Sequence, residues 1–220
     1  MRIAPTHLQR ELLPVPGAGP GGSFVLLYGS KTTYTLSLYA VSVLLARGDH
    51  LLVVDGGNSF DPYVISEAAR WLGQSPEELL GRIHISRAFT CHQLEALITG
   101  RLSDALRRLH SRSLLLSGLL NTLYDEDVSH GEAWKLFHRI VATLRSLRRQ
   151  GVSMVGLCPE ASAPIAMRRR FLAELKGEAD RVMRAETNDG RTLLTTEKPA
   201  GLGGPRQLIT ESISDGRGWR

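Results

Sequence analysis

A chain of 220 residues, 42% hydrophobic and 22% charged, is long enough to bury one large core and ordinary enough in composition to be globular. Its apolar runs fall well short of the ~20 residues that span a bilayer, and the N-terminus MRIAPTHLQRELLPV lacks a signal-peptide pattern, so a cytoplasmic protein with no membrane partner is expected. Two cysteines and seven scattered histidines exclude a disulfide framework and a structural metal site, while a net charge of +5 permits contact with nucleic acid without demanding it.

Residues 1–22 are rich in Pro and Gly (PVPGAGPGGS) and read as an irregular lead-in to a single core domain over 23–220. Phe24 to Tyr28 is a continuous apolar run, the pattern of a strand buried on both faces. Helix-spaced apolar residues follow from Thr33 to Arg47, closed by Gly48. HLLVVD (50–55) predicts a second buried strand ending in the turn Gly56-Gly57-Asn58. Asp61 to Gly73 reads as a helix with Pro62 near its start. A short strand over Arg82 to Ser86, a long helix over Thr90 to His110 and a strand over SLLLSGLL (113–120) come next. Gly131 to Gln150 is an amphipathic helix with Trp134, Phe137, Ile140, Val141 and Leu144 on one side and Lys135, Arg139, Arg145, Arg148 and Arg149 favouring the other. VSMVGL (152–157) predicts a further strand and Pro164 to Lys176 a further helix. Beyond them, DRVMRAE, RTLLTTEK and RQLITES are separated by Asn188-Asp189-Gly190 and by Gly201 to Gly204, which predicts antiparallel strands with hairpin turns. The expected fold is α/β, a mostly parallel sheet with helices on both faces and C-terminal antiparallel hairpin strands.

The segment FVLLYGSKTTYTLSLYA (24–40) has the strand, turn and helix that open a phosphate-binding loop, with most of the loop missing. A working loop reads GxxxxGK[ST], its N–H groups wrapping the phosphates while the Lys reaches the β/γ-phosphates and the Ser/Thr holds Mg²⁺. Here only Ser30 separates Gly29 from Lys31-Thr32-Thr33, a deficit of roughly 13 Å of extended chain at about 3.3 Å per residue. The other register keeps the loop length but puts Tyr34, Thr35 and Leu36 at the Gly, Lys and Ser/Thr positions.

The order of landmarks resembles the core domain of the RecA/RadA/KaiC superfamily over nearly the whole chain. KTTYTLS resembles the helix start after that family's P-loop, VVDGGNSFDPYVI its second strand and turn, and LGQSPEELLGRIHISRAFTCHQLEALI its next helix, strand and helix. RAFTCHQ (87–93) is the most specific piece, and ADRVMRAE, GRTLLTTEK and LITESISD resemble the terminal hairpins. The resemblance implies a RecA-like fold without the small DNA-binding domain that precedes the core in many RadA-like recombinases. It also implies that the catalytic set is mostly gone. The P-loop Lys and its neighbour would be Lys31 and Thr32. The general base, two residues beyond Asp55, would be Gly57, the Mg²⁺-organising carboxylate Ser117, and the polar sensor lies near Cys158-Pro159-Glu160.

The expectation is therefore a catalytically degenerate RecA-like protein, an inactive or very weak ATPase acting as a binding or scaffold partner in DNA recombination or repair. DNA, another RecA-like subunit or a repair protein would be the partner. ATP with Mg²⁺ is the cofactor the resemblance allows; no residue demands it. Gly29, Ser30, Lys31, Thr32, Asp55 and Asn58 are the candidate nucleotide contacts, against ordinary helix-start and turn chemistry. Asp125, Glu126 and Asp127 are a candidate cation site, or else a solvated loop whose acids suit a helix N-terminus. Arg107, Arg108 and Arg112, Arg145, Arg148 and Arg149, and Arg168, Arg169 and Arg170 are three candidate nucleic-acid clusters if they share a face. The family's DNA loops would fall between Leu119 and Gly131 and between Pro159 and Arg168. His92 and Gln93 match the family motif and equally suit helix packing. Two other functions stay open: a divergent Mg²⁺-dependent ATPase using Lys31, Asp55 and the 125–127 acids, and an interaction module with no nucleic-acid role.

Overall fold

The structure, a computed structural model, describes Leu12 and residues 21–159, 169–189 and 191–198, together with the backbone of Gln207–Glu211. Arg168, Glu160, most of the lead-in, the loop after Pro159 and the Gly201 to Gly204 turn lie outside the described residues.

The buried apolar runs form the strands expected of them. These are β1 (Phe24–Gly29), β2 (Leu51–Asp55), β3 (Ile83–Arg87), β4 (Ser113–Ser117) and β5 (Ser153–Pro159), followed by β6 (Arg181–Asn188), β7 (Arg191–Lys198) and β8 (Gln207–Glu211). The helices are α1 (Thr32–Ala46), α2 (Pro62–Trp71), α3 (Pro76–Gly81), α4 (Cys91–Ala96), α5 (Leu102–Arg108), α6 (His130–Arg149) and α7 (Arg169–Glu178). Their starts have local causes. Asp61, Ser75, Thr90 and Ser129 each accept a backbone N–H from the first turn that follows, which satisfies one of the donors a helix leaves open.

One eight-stranded sheet runs in the order β3-β2-β4-β5-β1-β6-β7-β8. The first six strands in that order are parallel, and β6-β7 and β7-β8 are antiparallel. Alternate residues of each strand feed two cores. Phe24, Leu26, Leu114 and Leu116 face α4 to α7, while Val25, Leu27 and Leu115 face α1 to α3. Leu12, from the expected lead-in, is fully buried in the second core. The first holds an aromatic cluster in which Phe171 lies 5.0 Å from Phe137 and 5.3 Å from Trp134, ring centre to ring centre. The fold is the α/β arrangement expected, with an antiparallel edge.

Three elements differ in detail from expectation. SLLLSGLL is a strand only to Ser117, because Gly118 takes a left-handed φ of +63° and turns Leu119 and Leu120 into the core. The long helix after Thr90 is widened by a π-helical turn, Leu97–Arg101, between α4 and α5. α1 is buried on nearly every side rather than along one stripe, since it is held between the sheet and α2. Its buried Ser37 and Ser42 donate to Tyr34 O and Leu38 O, so neither hydroxyl is stranded.

Acid groups tie α7 and the strand β7 to this frame. Arg145 makes two hydrogen bonds of 2.5 Å to Glu178, and they hold the Glu178 carboxyl below its ordinary 4.5. Burial pushes the Glu197 carboxyl up, but hydrogen bonds from Tyr28 and Lys176 outweigh it and leave it lowered. A carboxyl depressed on folding stabilises above its unfolded pKa and loses that contribution as pH falls through the folded value. The thermal midpoint should therefore hold through neutral pH and fall progressively below the ordinary 4.5 of a free glutamate. Glu178→Gln should flatten part of that decline in a pH series of melts; an unchanged slope would reject the assignment.

Candidate functional site at the carboxyl edge of the sheet

α1 leaves β1 for one face of the sheet and α6 follows β4 on the other. The carboxyl ends of β1, β4 and β5 thus flank the crevice where open α/β sheets hold ligands. Three turns meet there: Ser30-Lys31 after β1, Gly56 to Phe60 after β2, and Gly118 to Asn121 after β4.

The first turn is closed. Gly29 has φ +107° and lies so tightly against Ala185 O that an added Cβ would collide with it. Ser30 N donates to the same carbonyl at 2.8 Å. α1 then begins at once, and its first N–H groups already have acceptors: Thr32 N to Ser30 Oγ at 3.3 Å, Thr33 N to Ser30 O at 3.0 Å and Tyr34 N to Lys31 O at 3.0 Å. Those are the donors that would bind an anion at a helix N-terminus. Hydroxyls from β6 and β7 bridge to the turn. Thr187 Oγ1 donates to Ser30 Oγ at 2.8 Å and lies 3.0 Å from both Thr32 Oγ1 and Thr192 Oγ1. The Lys31 side chain is exposed and makes no hydrogen bond or ion pair with any described residue.

The second turn is organised around Asp55. Its side chain is fully buried and accepts from Gly57 N at 3.2 Å, Ser59 N at 3.0 Å and Phe60 N at 3.1 Å, with Arg87 Nε at 3.8 Å. A carboxylate committed to three backbone donors has little left for a metal or a water. Asn58 supplies the left-handed residue of this turn, φ +48°, and is exposed. Gly57, the expected general-base position, is crowded: a Cβ there would lie 3.0 Å from the Tyr34 hydroxyl and 3.3 Å from Gly118 Cα, so its neighbours would have to shift. Burial pushes the Tyr34 phenol up, so it stays protonated. Ser117 hydrogen-bonds Ser59 Oγ at 2.5 Å instead of presenting an anion. Burial also raises both thiols, Cys158 to about 12, and leaves neither as a nucleophile.

In the third turn Leu119, Leu120 and Leu123 are buried, so the segment expected as the first DNA loop is anchored in the core. Asp125, Glu126 and Asp127 project from it into solvent, and Asp125 Oδ1 accepts Asp127 N at 3.1 Å. Among the described residues no group of three His, Cys, Asp or Glu side chains converges as a metal site. RAFTCHQ serves the frame: Arg87 reaches Asp55, Ala88 N donates to Asp55 O, Thr90 caps α4, and Gln93 accepts Phe89 N at 2.8 Å. His92 lies 3.4 Å from Glu132, on an open groove of about 410 Å³ between α4 and α6 that Lys135 and Arg139 also line.

The basic clusters do not form one stripe. Arg107, Arg108 and Arg112 enter β4, and Arg145, Arg148 and Arg149 enter β5, both at the amino edge of the sheet. Arg169 and Arg170 start α7 after β5, at the carboxyl edge, with Arg170 5.7 Å from the centre of the Trp134 ring. Several are already paired: Arg107 with Asp104, Arg145 with Glu178, and Arg148 with Asp180 at 3.2 Å. Sequence reasoning missed Ser59, Thr187 and Thr192, and singled out Arg87 within RAFTCHQ without its partner Asp55. An aspartate followed by Gly-Gly-Asn-Ser does hint at a carboxylate-held turn, but no local signal places Thr187 over Ser30. No family model matches the chain.

Proposed function

We propose that this chain is a catalytically degenerate relative of the RecA/RadA/KaiC ATPases, a binding or scaffold partner in DNA recombination or repair. One observation carries the reading: the first N–H groups of α1 are already bonded within the turn, and Thr187 hydrogen-bonds Ser30 beside them. With Ser30, Thr32, Thr33 and Tyr34 N–H all engaged, too few backbone donors are left there to cradle a triphosphate. The resemblance of the landmark segments and a parallel sheet with β1 between β5 and β6 support the ancestry.

Phosphoryl transfer rests on positioning and on stabilising charge that develops in the transition state. The phosphate cradle, the base and the metal-holding carboxylate are replaced here by a closed turn, Gly57 and Ser117. The divergent-ATPase reading needs Asp55 as a metal ligand, and its carboxylate is committed to backbone donors. A scaffold role needs only fold and surface.

Titrating ATP into the full chain by calorimetry, with and without Mg²⁺ and DNA, tests this. No saturation is expected below about 1 mM, the range of a binding free energy near −4 kcal/mol. Micromolar binding that requires Mg²⁺, or turnover abolished by Lys31→Ala, would overturn it.

A further inference from the structure

We propose that the amino edge of the sheet contacts the phosphate backbone of duplex nucleic acid, through Arg108, Arg112 and Arg149. This deepens the nucleic-acid part of the reading above and rests on it, while moving the contact to the edge opposite the closed nucleotide site.

The topology brings the three residues to one edge of the sheet. β4 and β5 are neighbours, with Ser113 opposite Ser153, so the turns that enter them lie side by side, about 4.8 Å apart at the strands. Ser153 N donates to Arg112 O at 2.8 Å, and the Arg112 guanidinium reaches over Gly151, two residues beyond Arg149. Arg108 ends α5, four residues before Arg112. On the other side, Ser111 Oγ donates to His50 O at 2.6 Å, which joins these turns to the one entering β2.

Charge pairing divides this rim. Asp104, Glu178 and Asp180 take Arg107, Arg145 and Arg148. Arg108, Arg112 and Arg149 are exposed and make no ion pair with any described residue. Asp49 is one strand away, on the turn entering β2. Arginines at a helix C-terminus do stabilise its dipole, which accounts in part for Arg108 and Arg149. Arg112 lies on no helix, so the dipole does not explain it. Neither turn, 107–113 or 147–153, carries Phe, Tyr or Trp to stack on an unpaired base. A cationic surface without stacking platforms matches duplex phosphates rather than single strands.

The test compares the full chain with its Arg108→Gln/Arg112→Gln/Arg149→Gln variant. Binding to a labelled DNA duplex of about 20 base pairs is read by fluorescence anisotropy between about 50 and 200 mM salt. Each phosphate contact contributes about 0.9 to the slope of log affinity against log salt. The triple variant should therefore show a slope shallower by about 2.7, equivalent to roughly 40-fold less loss of affinity over that fourfold salt range. Its melting midpoint should fall by only a few degrees, the cost of two lost helix-end charges at about 0.3–1 kcal/mol each. Arg169→Gln/Arg170→Gln, at the opposite edge, should leave the slope unchanged, which supports the assignment. A triple variant that keeps the full slope overturns the rim, as does loss of the slope in the Arg169/Arg170 variant. Preferential binding of anionic vesicles over duplex, removed by the triple change, overturns nucleic acid as the partner. No duplex binding by the unsubstituted chain overturns the nucleic-acid part of both readings, whereas the ATP titration alone decides whether the nucleotide site is dead.

Discussion

Replacing Asp55 by alanine is expected to lower the thermal midpoint by roughly 10 °C, from a loss of about 3–6 kcal/mol at 2–4 °C per kcal/mol for a chain of this size. The side chain is fully buried, and it is the common acceptor for Gly57 N, Ser59 N and Phe60 N. Truncation removes an acceptor from three donors that have no other one nearby, and a buried donor left unmet costs about 1–3 kcal/mol. Some of that returns if water enters. Asp55→Asn keeps one acceptor oxygen but turns N–H groups toward N–H groups, so it should fall between wild type and alanine. The loop also carries Gly57 against Gly118, so the loss should spread to the turn after β4. Thermal and urea melts of the three proteins check the order. An alanine variant within about 0.5 kcal/mol of wild type, the range of an ordinary surface change, would show that Asp55 does not hold this turn.

That role for Asp55 was only half legible. A run such as Leu51 to Val54 declares a buried strand by itself, because a parallel sheet covered on both faces needs apolar side chains in both directions. The Asp189-Gly190 hairpin is equally local. The missing phosphate loop could be counted directly between Gly29 and Lys31. What escaped the sequence depends on distance along the chain. Thr187 closes over Ser30 across 157 residues, and Arg145 meets Glu178 across 33. Neither pairing leaves a periodic trace. Of the eight described arginines read as candidate contacts, three are for that reason already paired, and the clusters fall on two opposite edges once the strand order is known. Helix α1 shows the same limit: its polar Ser37 and Ser42 are both buried, because the helix is enclosed by the sheet and α2.

Gly118→Ala should be about as damaging, with an expected loss of about 3–5 kcal/mol from two sources. The residue sits at φ +63°, a conformation that costs an L-residue roughly 1–2 kcal/mol. An added Cβ would also stand 2.5 Å from Gly57 N and 2.6 Å from Gly57 Cα, backbone atoms that cannot rotate away. Gly131→Ala is the control, since an added methyl there meets no atom within 4 Å, and it should be neutral or stabilising by up to about 1 kcal/mol. The same crowding means that installing a general base, as Gly57→Glu with Ser117→Asp, should destabilise the chain without creating ATP hydrolysis. Because Gly118 presses on a loop that Asp55 holds, the two losses should not add. Once Asp55→Ala has freed that loop, Gly118→Ala has less to displace, and the double variant should lose less than the sum by about 0.5–3 kcal/mol. Strict additivity in urea melts would separate the two turns energetically, and with them the account of a crevice closed by Gly57 meeting Gly118.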